Sequence, residues 1–530
     1  MLNKKYQNFA KWNIYQIYPR SFFDSNDDGN GDLQGVILKL DYLKKLGINA
    51  IWLSPFFASP MFDNGYDISD FKKIDKIFGT MSDFEKLIQE AHARNIKIII
   101  DLVANHTSTE HFWFKEAIKS KDNYYHNYYY FFDEIPNNWQ SCFSGSAYEY
   151  VDSIKQYYLH SFAKEQADLN WNNKNVRDEI KSIVDFYVKK GVDGFRCDVL
   201  DMISKDFTNE DGNHNGEHLH EYINELFNRK HLKNIFTVGE CWSTSVDNLK
   251  LFIAQNRHEL ITSFQGDVNN VARAEDKFIS KPFKLFEISY YLDKWQKITQ
   301  EQDLLYSLFL ENHDNLRIMT KLKIENIDRY YLATMLATMV YLLKGVTYIY
   351  QGQEIGMENP FYNDINDFND VETLNYYKKH LNDINNDELL KRINFGSRDN
   401  ARRGMCWDNS LHNGFSKVIP WIKDHSSSLI NVKDDLNSKH SIYHFYQKIL
   451  NLRNNYLPFT LGKYECVENN EKNYIYKRKY KNESFLIIIN FENKNKIKKY
   501  NYSKIVLSNY NRKKFPKVFF ELECLVLKLA

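Results

Sequence analysis

The chain has 530 residues, a formal net charge of +1 and a hydrophobic fraction of 43%, which argues against a dedicated binder of nucleic acid or another polyanion. It contains no run of 18 apolar residues, and its start, MLNKKYQNFAKW, lacks a secretory signal, so neither a membrane span nor export is predicted. Six scattered cysteines without a CxxC pair favour reduced thiols over a disulfide framework. Together these features predict a cytoplasmic protein, and none of them implies a protein partner.

The first predicted strand, NIYQIYP, leads into a turn with the sequence DSNDDGNGDLQGV. Its alternating oxygen-bearing residues are Asp24, Asn26, Asp28, Asn30 and Asp32. Such spacing suits Ca²⁺, which takes six to eight oxygen ligands. The match to an EF-hand ends at its twelfth position, where Gly35 replaces the bidentate Glu, and a strand precedes the loop instead of a helix. The residues alone leave two readings, a different calcium loop or a polar turn.

Beyond this loop, short apolar strands alternate with amphipathic helices. The predicted strands are NIYQIYP, AIWLSP, KIIIDLV, DGFRCD, FTVGE, ELITSF, YSLFLENHD and VTYIYQG. Helical periodicity is clearest in LQGVILKLDYLKKLG, MSDFEKLIQEAHARN and VRDEIKSIVDFYVKKG. Eight strands separated by helices predict an α/β fold, the (β/α)₈ TIM barrel, in which the carboxyl ends of the strands share one mouth.

Two stretches depart from this alternation. Residues 107–173 are rich in Tyr, Asn and Ser and show no strand–helix unit, so they are predicted to form a small inserted domain over the barrel mouth after the third strand. Residues 458–530 contain short alternating or apolar runs, which predict a C-terminal β-sandwich domain of antiparallel strands. The barrel would then comprise residues 1–106 and 174–457.

Polar residues at the predicted strand ends fall in four segments. These are DLVANHTS (101–108), GFRCDVL (194–200), TVGECWS (237–243) and ENHDNLR (311–317). In this order and at these strand ends, they resemble the catalytic regions of the alpha-amylase superfamily of glycoside hydrolases, family 13. QADLNW, DNGYDISDFKKI, GVTYIYQGQEIGM and SRDNARRGMCWD resemble its oligo-1,6-glucosidase branch, and GECWS resembles the glucan-1,6-glucosidases.

The resemblance implies a retaining mechanism with Asp198 as nucleophile, Glu240 as acid/base and Asp314 as stabiliser of the transition state. The residue types suit these roles. Arg196 lies on the same side of an extended strand as Asp198 and would keep that carboxylate ionised. Trp242 would desolvate Glu240 and raise its pKa, as a proton donor requires. Sequence alone does not give the carboxyl separation that distinguishes retention from inversion.

The resemblance also implies a closed pocket for one terminal glucose. His106 and His313 would hydrogen-bond the sugar and Tyr66 would stack on it, while Asp63 and Arg402 would grip its 4-hydroxyl. The opening loop corresponds to a calcium site of the family. A structural Ca²⁺, or Mg²⁺, is therefore implied, held by Asp24, Asn26, Asp28, Asp32 and the carbonyl of Asn30.

The implied function is that of an exo-acting α-glucosidase for α-1,6-linked oligosaccharides, an oligo-1,6-glucosidase. In the family, valine after the nucleophile, here Val199, accompanies this preference. The alternatives are trehalose-6-phosphate hydrolase, α-1,4-glucosidase, sucrose hydrolase or isomerase. An alternative from another class is an inactive sugar-binding or transporter-partner protein, but such relatives lack the catalytic carboxylates. Departures from the family pattern at Leu316 and in SFQGDVNN (263–270) flank the outer subsites, where the leaving group binds.

Overall fold

Eight parallel strands form the central sheet of the computed structural model, which describes residues 2–423 and 429–530. The strands are β1 (Asn13–Ile17), β2 (Ala50–Leu53), β3 (Lys97–Val103), β4 (Gly194–Asp198), β5 (Phe236–Gly239), β6 (Thr262–Ser263), β7 (Ser307–Leu308) and β8 (Val346–Tyr350). They are hydrogen-bonded in the order β6-β5-β4-β3-β2-β1-β8-β7. All eight predicted strands are therefore confirmed, and β1 pairs with β8 to curl the sheet into a nearly closed barrel.

The two end strands of the sheet, β6 and β7, meet through side chains. Thr262 Oγ1 donates to the carbonyl of Leu305 at 3.0 Å and lies 2.9 Å from Ser307 Oγ. This contact, hereafter the seam, completes the ring in the described part of the chain.

Alternate residues of the strands face opposite layers of the core, as the period of two along a strand requires. Ile14, Trp52, Ile99 and Phe236 belong to one buried cluster inside the ring. Tyr15 and its counterparts on other strands belong to the larger cluster beneath the surrounding helices. Burial on both faces explains why these strands read as continuous apolar runs.

The helices around and beyond the ring vary widely in length. They are Lys4–Phe9, Leu33–Leu38, Leu40–Leu46, Met81–Ala93, Phe112–Ala117, Lys174–Lys190, Leu219–Phe227, Leu249–Ile253, Asp267–Asn270, Leu285–Glu301, Ile318–Lys321, Arg329–Tyr341, Val371–His380, Asn386–Gly396, Asp399–Arg402, Val432–Asn437, Ile442–Asn455 and Leu457–Leu461. None of the helices within the described ranges is both long and apolar enough to cross a membrane.

Local signals fix the helix that precedes β4. Asn173 caps the amino end of Lys174–Lys190 by accepting the backbone N–H of Asn175. Gly191 ends the helix with a left-handed φ of 101°, which glycine adopts without steric penalty. The reversal at Gly191 leads the chain directly into β4, the strand that carries Arg196 and Asp198.

An inserted domain follows β3, as predicted. Strands His106–Ser108 and Gln166–Asp168 pair antiparallel at its base. A separate antiparallel sheet has Gln156–Leu159 between Phe131–Phe132 and Tyr148–Val151. Since β3 ends at the barrel mouth, the insertion begins beside the carboxyl ends of the strands.

The C-terminal region is antiparallel, as predicted, but it is not a sandwich. Its strands are β9 (Lys463–Asn469), β10 (Asn473–Tyr480), β11 (Glu483–Asn490), β12 (Tyr502–Ser508) and β13 (Cys524–Leu529). In the described residues they form one sheet in the order β9-β10-β11-β13-β12. One face contacts the barrel, where Tyr476 Oη donates to Thr338 O at 3.3 Å, and irregular segments with Phe515 and Phe519 cover the other face. The predicted second sheet is thus replaced by the barrel on one side and by loops on the other.

Candidate active site

A cavity of about 670 Å³ opens at the carboxyl ends of the barrel strands. Seven of the ten predicted catalytic and substrate-binding residues line it: Asp63, Tyr66, His106, Asp198, Glu240, Trp242 and Asp314. The other three, Arg196, His313 and Arg402, are buried and bond to lining residues. The fold therefore brings all ten together from segments far apart in the chain.

Arg196 on β4 joins three carboxylates. Its Nη1 donates to Asp101 Oδ1 and to Asp198 Oδ1, both at 2.6 Å, and its Nη2 contacts Glu240 Oε2. Burial alone would lower the pKa of Arg196, but these carboxylates raise it well above its usual value. One charged guanidinium thus holds Asp198 and Glu240 on its two terminal nitrogens.

The pKa values of Asp198 and Glu240 are both raised, but that of Asp198 is the lower of the two, as expected for a nucleophile beside an acid. Burial raises the pKa of Asp198 to about 6 despite the opposing effect of Arg196. Burial likewise raises the pKa of Glu240 to about 7. Arg196, which was predicted to keep Asp198 ionised, therefore acts in that direction and limits the rise of its pKa. Between these two values, Asp198 is mainly ionised while Glu240 is mainly protonated.

Trp242 affects Glu240 differently from the prediction. Its indole N–H donates to Glu240 Oε1 at 2.8 Å, and 46% of the residue is exposed. A donor favours the ionised carboxylate, so the raised pKa of Glu240 comes from burial by the site as a whole. Trp242 orients the carboxyl and forms an open wall of the cavity.

Asp314, the third predicted catalytic carboxyl, has its own set of partners. His313 Nε2 lies 2.9 Å from Asp314 Oδ2, and Arg402 Nη2 donates to Asp314 Oδ1 at 2.6 Å. Burial would raise the pKa of Asp314, but the contacts with His313 and Arg402 lower it well below its usual value. Of the three predicted catalytic carboxyls, Asp314 thus stays ionised, whereas Asp198 and Glu240 titrate near neutrality.

Tyr66 and the two histidines form the inner wall. The Tyr66 ring stacks on His313 with centroids 5.3 Å apart, and its hydroxyl lies 2.5 Å from His313 Nε2. His106 Nε2 lies 3.1 Å from the side-chain nitrogen of Gln166, which also donates to Asp63 Oδ2 at 3.2 Å. Gln166 was not predicted, although it opens the QADLNW segment.

Asp63 forms an ion pair with Arg398, a residue that was not predicted, while the shared grip of Asp63 and Arg402 on a sugar hydroxyl stays a prediction. Arg398 Nη2 donates to Asp63 Oδ1 at 2.7 Å, whereas Arg402 bonds to Asp314. The two arginines lie four residues apart in SRDNARR and have the same chemistry, so the segment alone could not assign their partners. Asp370, 2.6 Å from Arg398 Nη2, also holds this guanidinium in place.

Val199 follows Asp198 with a left-handed backbone, φ 33° and ψ 46°. This conformation is strained for a β-branched residue. Val199 lines the cavity, and its backbone N–H donates to Glu240 Oε2 at 3.4 Å. Its stiff side chain is thus fixed beside both titrating carboxyls.

The opening loop lies outside this cavity, and its acidic side chains bind protein groups. Asp24 accepts hydrogen bonds from the backbone of Asp27 and Gly29, both at 2.8 Å. Asp32 caps the helix at Leu33 by accepting from Gly35 N at 2.6 Å, and Asn30 Oδ1 accepts from Arg20 Nε at 2.8 Å.

Asp28 and Asn26 bond mainly within the loop, where Asp28 Oδ1 accepts from Asn30 N at 2.8 Å. The ranges 2–423 and 429–530 contain no group of three or more His, Cys, Asp or Glu arranged to hold a metal ion. The side chains of the loop bond to one another and to nearby protein groups, and the calcium site stays a prediction.

Comparison with known proteins agrees with this geometry. Residues 16–462 match the family described as alpha amylase, catalytic domain. The oligo-1,6-glucosidase of Bacillus cereus is 42% identical over 501 residues, covering 90% of each chain. The glucan 1,6-alpha-glucosidase of Streptococcus pneumoniae is 41% identical over 485 residues, covering 91% of this chain and 90% of that protein. The crystal structure of Bacillus licheniformis trehalose-6-phosphate hydrolase superposes with a TM-score of 0.92 at 36% identity, covering 98% of this chain and 99% of that one.

Proposed function

This chain belongs to the alpha-amylase family and is a glycoside hydrolase, and from that premise we propose that it is an exo-acting, retaining α-glucosidase of the oligo-1,6-glucosidase type. Its substrate would be a small oligosaccharide with a terminal α-1,6-linked glucose. The curated relatives reported above carry oligo-1,6-glucosidase and glucan 1,6-alpha-glucosidase names at 41–42% identity.

The observation that carries the proposal is the bridge made by Arg196 between Asp198 and Glu240. Asp198 would attack the anomeric carbon while Glu240 transfers its proton to the glycosidic oxygen, so that the leaving sugar departs neutral. Glu240, now ionised, would take a proton from water, and the resulting attack would release glucose and free Asp198. Asp314, held ionised by His313 and Arg402, would stabilise the positive charge that develops on the sugar ring.

Retention requires carboxyls about 5–5.5 Å apart, whereas inverting enzymes need about 6.5–9.5 Å to admit a water. Two carboxyls held by adjacent nitrogens of one guanidinium favour the shorter spacing. An ionised nucleophile and a protonated acid can coexist in this pair, since the raised pKa of Glu240, about 7, lies above that of Asp198, about 6.

The ion pair of Asp63 with Arg398 supports exo action. Gln166 and the Phe143 ring, whose centroid lies 4.5 Å from the Arg398 guanidinium carbon, pack around it. A fixed pair at the wall of the cavity can bind the terminal 4-hydroxyl and would block a further sugar at this position. The enzyme would therefore remove single glucose units from non-reducing ends.

Trehalose-6-phosphate hydrolysis is the second candidate, because the solved structure of that enzyme from Bacillus licheniformis is similar over 98% of this chain. A substrate panel distinguishes the two. The expected result is that kcat/KM for isomaltose, isomaltotriose or panose exceeds that for trehalose 6-phosphate, maltose and sucrose. A preference for trehalose 6-phosphate would replace the first proposal with the second.

We also propose a cytoplasmic location, supported by the lack of a disulfide between any of the six cysteines, all of which lie within the described residues. Activity in the cytosolic fraction of the source cells, with none secreted, is the expected result. Activity recovered mainly outside the cells would contradict it.

A further inference from the structure

The wall of the cavity after β6 contains buried amide groups without protein partners. Asn269 is 1% exposed, and both its Oδ1 and its Nδ2 lack a hydrogen-bond partner among the described residues. Gln265, 3% exposed, lacks a partner for Oε1 within the same ranges. Both residues line the cavity. A buried polar group without a partner destabilises the fold, so two in one wall need a functional explanation.

The orientation of the Gln265 amide can be assigned from its surroundings. Gln265 Nε2 donates to the carbonyl of Ser263 at 2.6 Å, so Oε1 must be the atom that faces the gap. The Asn269 amide is unpaired at both ends, and its terminal torsion is soft, so a small rotation can turn it toward a ligand. The wall thus offers two carbonyl acceptors and one amide donor.

The turn that carries these amides is held in place from behind. The backbone carbonyl of Asn269 accepts from Lys321 Nζ at 2.8 Å. Asp267, on the same short helix, accepts from the indole of Trp295. The unpaired amides are therefore presented by fixed backbone and do not result from a loose loop.

This wall is on the leaving-group side of the site. Gly266 packs so closely on Trp242 that a Cβ there would lie 3.3 Å from its ring. Trp242 in turn bonds Glu240, the proposed proton donor, which must face the glycosidic oxygen. The stretch from Gln265 to Asn269 belongs to SFQGDVNN, one of the segments that departs from the family pattern.

We propose that Asn269 and Gln265 determine leaving-group specificity by hydrogen-bonding the free hydroxyls of a neutral sugar in the departing position. This rests on the proposed α-glucosidase function and specifies the leaving group it accepts. Adjacent hydroxyls of a pyranose can donate to the two carbonyl oxygens and accept from the amide nitrogen. A phosphate dianion has no hydrogen to donate, so two carbonyl acceptors disfavour it.

Two cations on the same wall do not reverse this preference. Lys277 contacts Glu372 in an ion pair. The carboxylates of Glu372 and Asp276 lie near Arg273 and oppose the lowering of its pKa by burial. Positive and negative charges on this side are therefore balanced.

The test combines Asn269→Leu and Gln265→Met, which keep side-chain size and remove the polar atoms. Wild type is first assayed on isomaltose, maltose, sucrose and trehalose 6-phosphate. The double variant is then compared on the best neutral disaccharide and on p-nitrophenyl α-glucoside, whose leaving group has no sugar hydroxyls. We expect the loss of kcat/KM on the disaccharide to exceed that on the nitrophenyl substrate at least tenfold.

Thermal melting supplies the second readout. The single variant Asn269→Leu removes only unpaired polar atoms, so its Tm should equal or exceed that of wild type, whereas a structural role for this amide would lower Tm. Asn228→Leu, at an exposed asparagine outside the cavity lining, controls for a change of the same chemistry elsewhere.

Equal losses on both substrates, no loss on either, or a lower Tm of Asn269→Leu would overturn the inference, as would a wild-type preference for trehalose 6-phosphate over every neutral disaccharide. A preference for maltose or sucrose would instead refute the α-1,6 proposal alone. The double variant and wild type would then be compared by kcat/KM on that preferred disaccharide.

Discussion

Asp198 and Glu240 bind the same guanidinium but have different proposed roles. A change at each carboxyl therefore tests a different step of the reaction, nucleophilic attack or proton transfer. Asp198→Asn removes the covalent nucleophile, and kcat should fall by about 10⁴ or more while circular dichroism stays native. Glu240→Gln should be nearly inactive on isomaltose but partly active on p-nitrophenyl α-glucoside, whose leaving group needs no proton. Ordinary activity in either variant would contradict the assigned roles.

The same pair predicts the pH dependence of the reaction. Burial raises the pKa of Asp198 to about 6 and that of Glu240 to about 7. Activity requires Asp198 ionised and Glu240 protonated, so kcat/KM should fall as the pH drops through about 6 and as it rises through about 7. A pH–rate profile with an optimum between these values is expected, and Glu240→Gln should lose the alkaline limb on the nitrophenyl substrate. A wild-type profile that is flat from pH 5 to 8 would be incompatible with this assignment.

Val199 offers a test of linkage preference. Its strained left-handed backbone fixes a β-branched side chain beside the carboxyls, where it would crowd the departing sugar of a 1,4 link. A 1,6 link has an additional rotatable methylene that moves that sugar away. Wild type should prefer isomaltose to maltose at least tenfold, about 1.4 kcal/mol, and Val199→Ala should narrow the ratio by gaining activity on maltose. An unchanged ratio would assign Val199 to packing.

At the scale of elements, the opening loop tests whether a metal stabilises the fold. If the loop binds Ca²⁺, saturating metal should raise Tm by about 2 °C, because binding to the native state alone stabilises it. Asp28→Ala should abolish this shift because it removes a predicted ligand. Asp28 is exposed and bonds mainly within the loop, so the change should not otherwise disturb the fold.

The matched control is Asp27→Asn. Asp27 pairs with Lys417, was not a predicted ligand, and has a φ of 62° that asparagine tolerates. The control should keep the calcium shift. Identical melting of wild type in EDTA and in Ca²⁺ would make the loop a polar turn.

The sequence predicted the elements well where periodicity carries the information. The eight barrel strands could be recognised because burial on both faces makes them continuous apolar runs, even where β6 and β7 contribute only two residues each. The apolar pattern could not show whether the C-terminal strands pack against a second sheet, as predicted, or against the barrel, as observed. A strand buried against barrel helices shows the same pattern as one buried against another sheet.

Pairwise contacts were the part of the site that the sequence left open. It indicated Asp63, Arg402 and the three carboxylates through their motifs, but Arg398 and Arg402 have the same chemistry in the same segment. Which arginine reaches Asp63, 335 residues away along the chain, depends on the packing of the folded barrel. Gln265 and Asn269 were equally inaccessible, because an unpaired amide is recognisable only when its neighbours are known.

At the scale of the whole molecule, buried arginines join the parts of the chain. Arg453 on helix Ile442–Asn455 is 2% exposed and donates to the carbonyls of Tyr341, Leu343 and Gly345 at 2.7–2.9 Å. Arg478 on β10 donates to Gly462 O at 2.9 Å. The Arg453 contacts connect helix Ile442–Asn455 to the segment that precedes β8, and the Arg478 contact connects the C-terminal sheet to the end of helix Leu457–Leu461.

Arg453→Met should therefore destabilise the protein strongly, by at least about 3 kcal/mol, since several buried carbonyls lose their donor at once. Equilibrium unfolding in urea measures the change. Arg94→Met, which removes only partly exposed ion pairs with Asp41 and Glu90, should have a much smaller effect. Similar losses in both variants would show that the Arg453 contacts contribute no more than a surface pair.

The short strand pairing of β6, next to the seam with β7, has a consequence for how the sequence of this enzyme can diverge. β4, which carries Asp198, pairs with β3 at five residue positions and with β5 at four, whereas β6 pairs with β5 at only two. A shift of β4 would disrupt both neighbouring ladders, while residues inserted or deleted after Ser263 displace almost no strand pairing. A lineage can therefore alter the wall that selects the departing sugar while the bond-breaking residues remain in register, and it can acquire a new substrate without first losing the reaction.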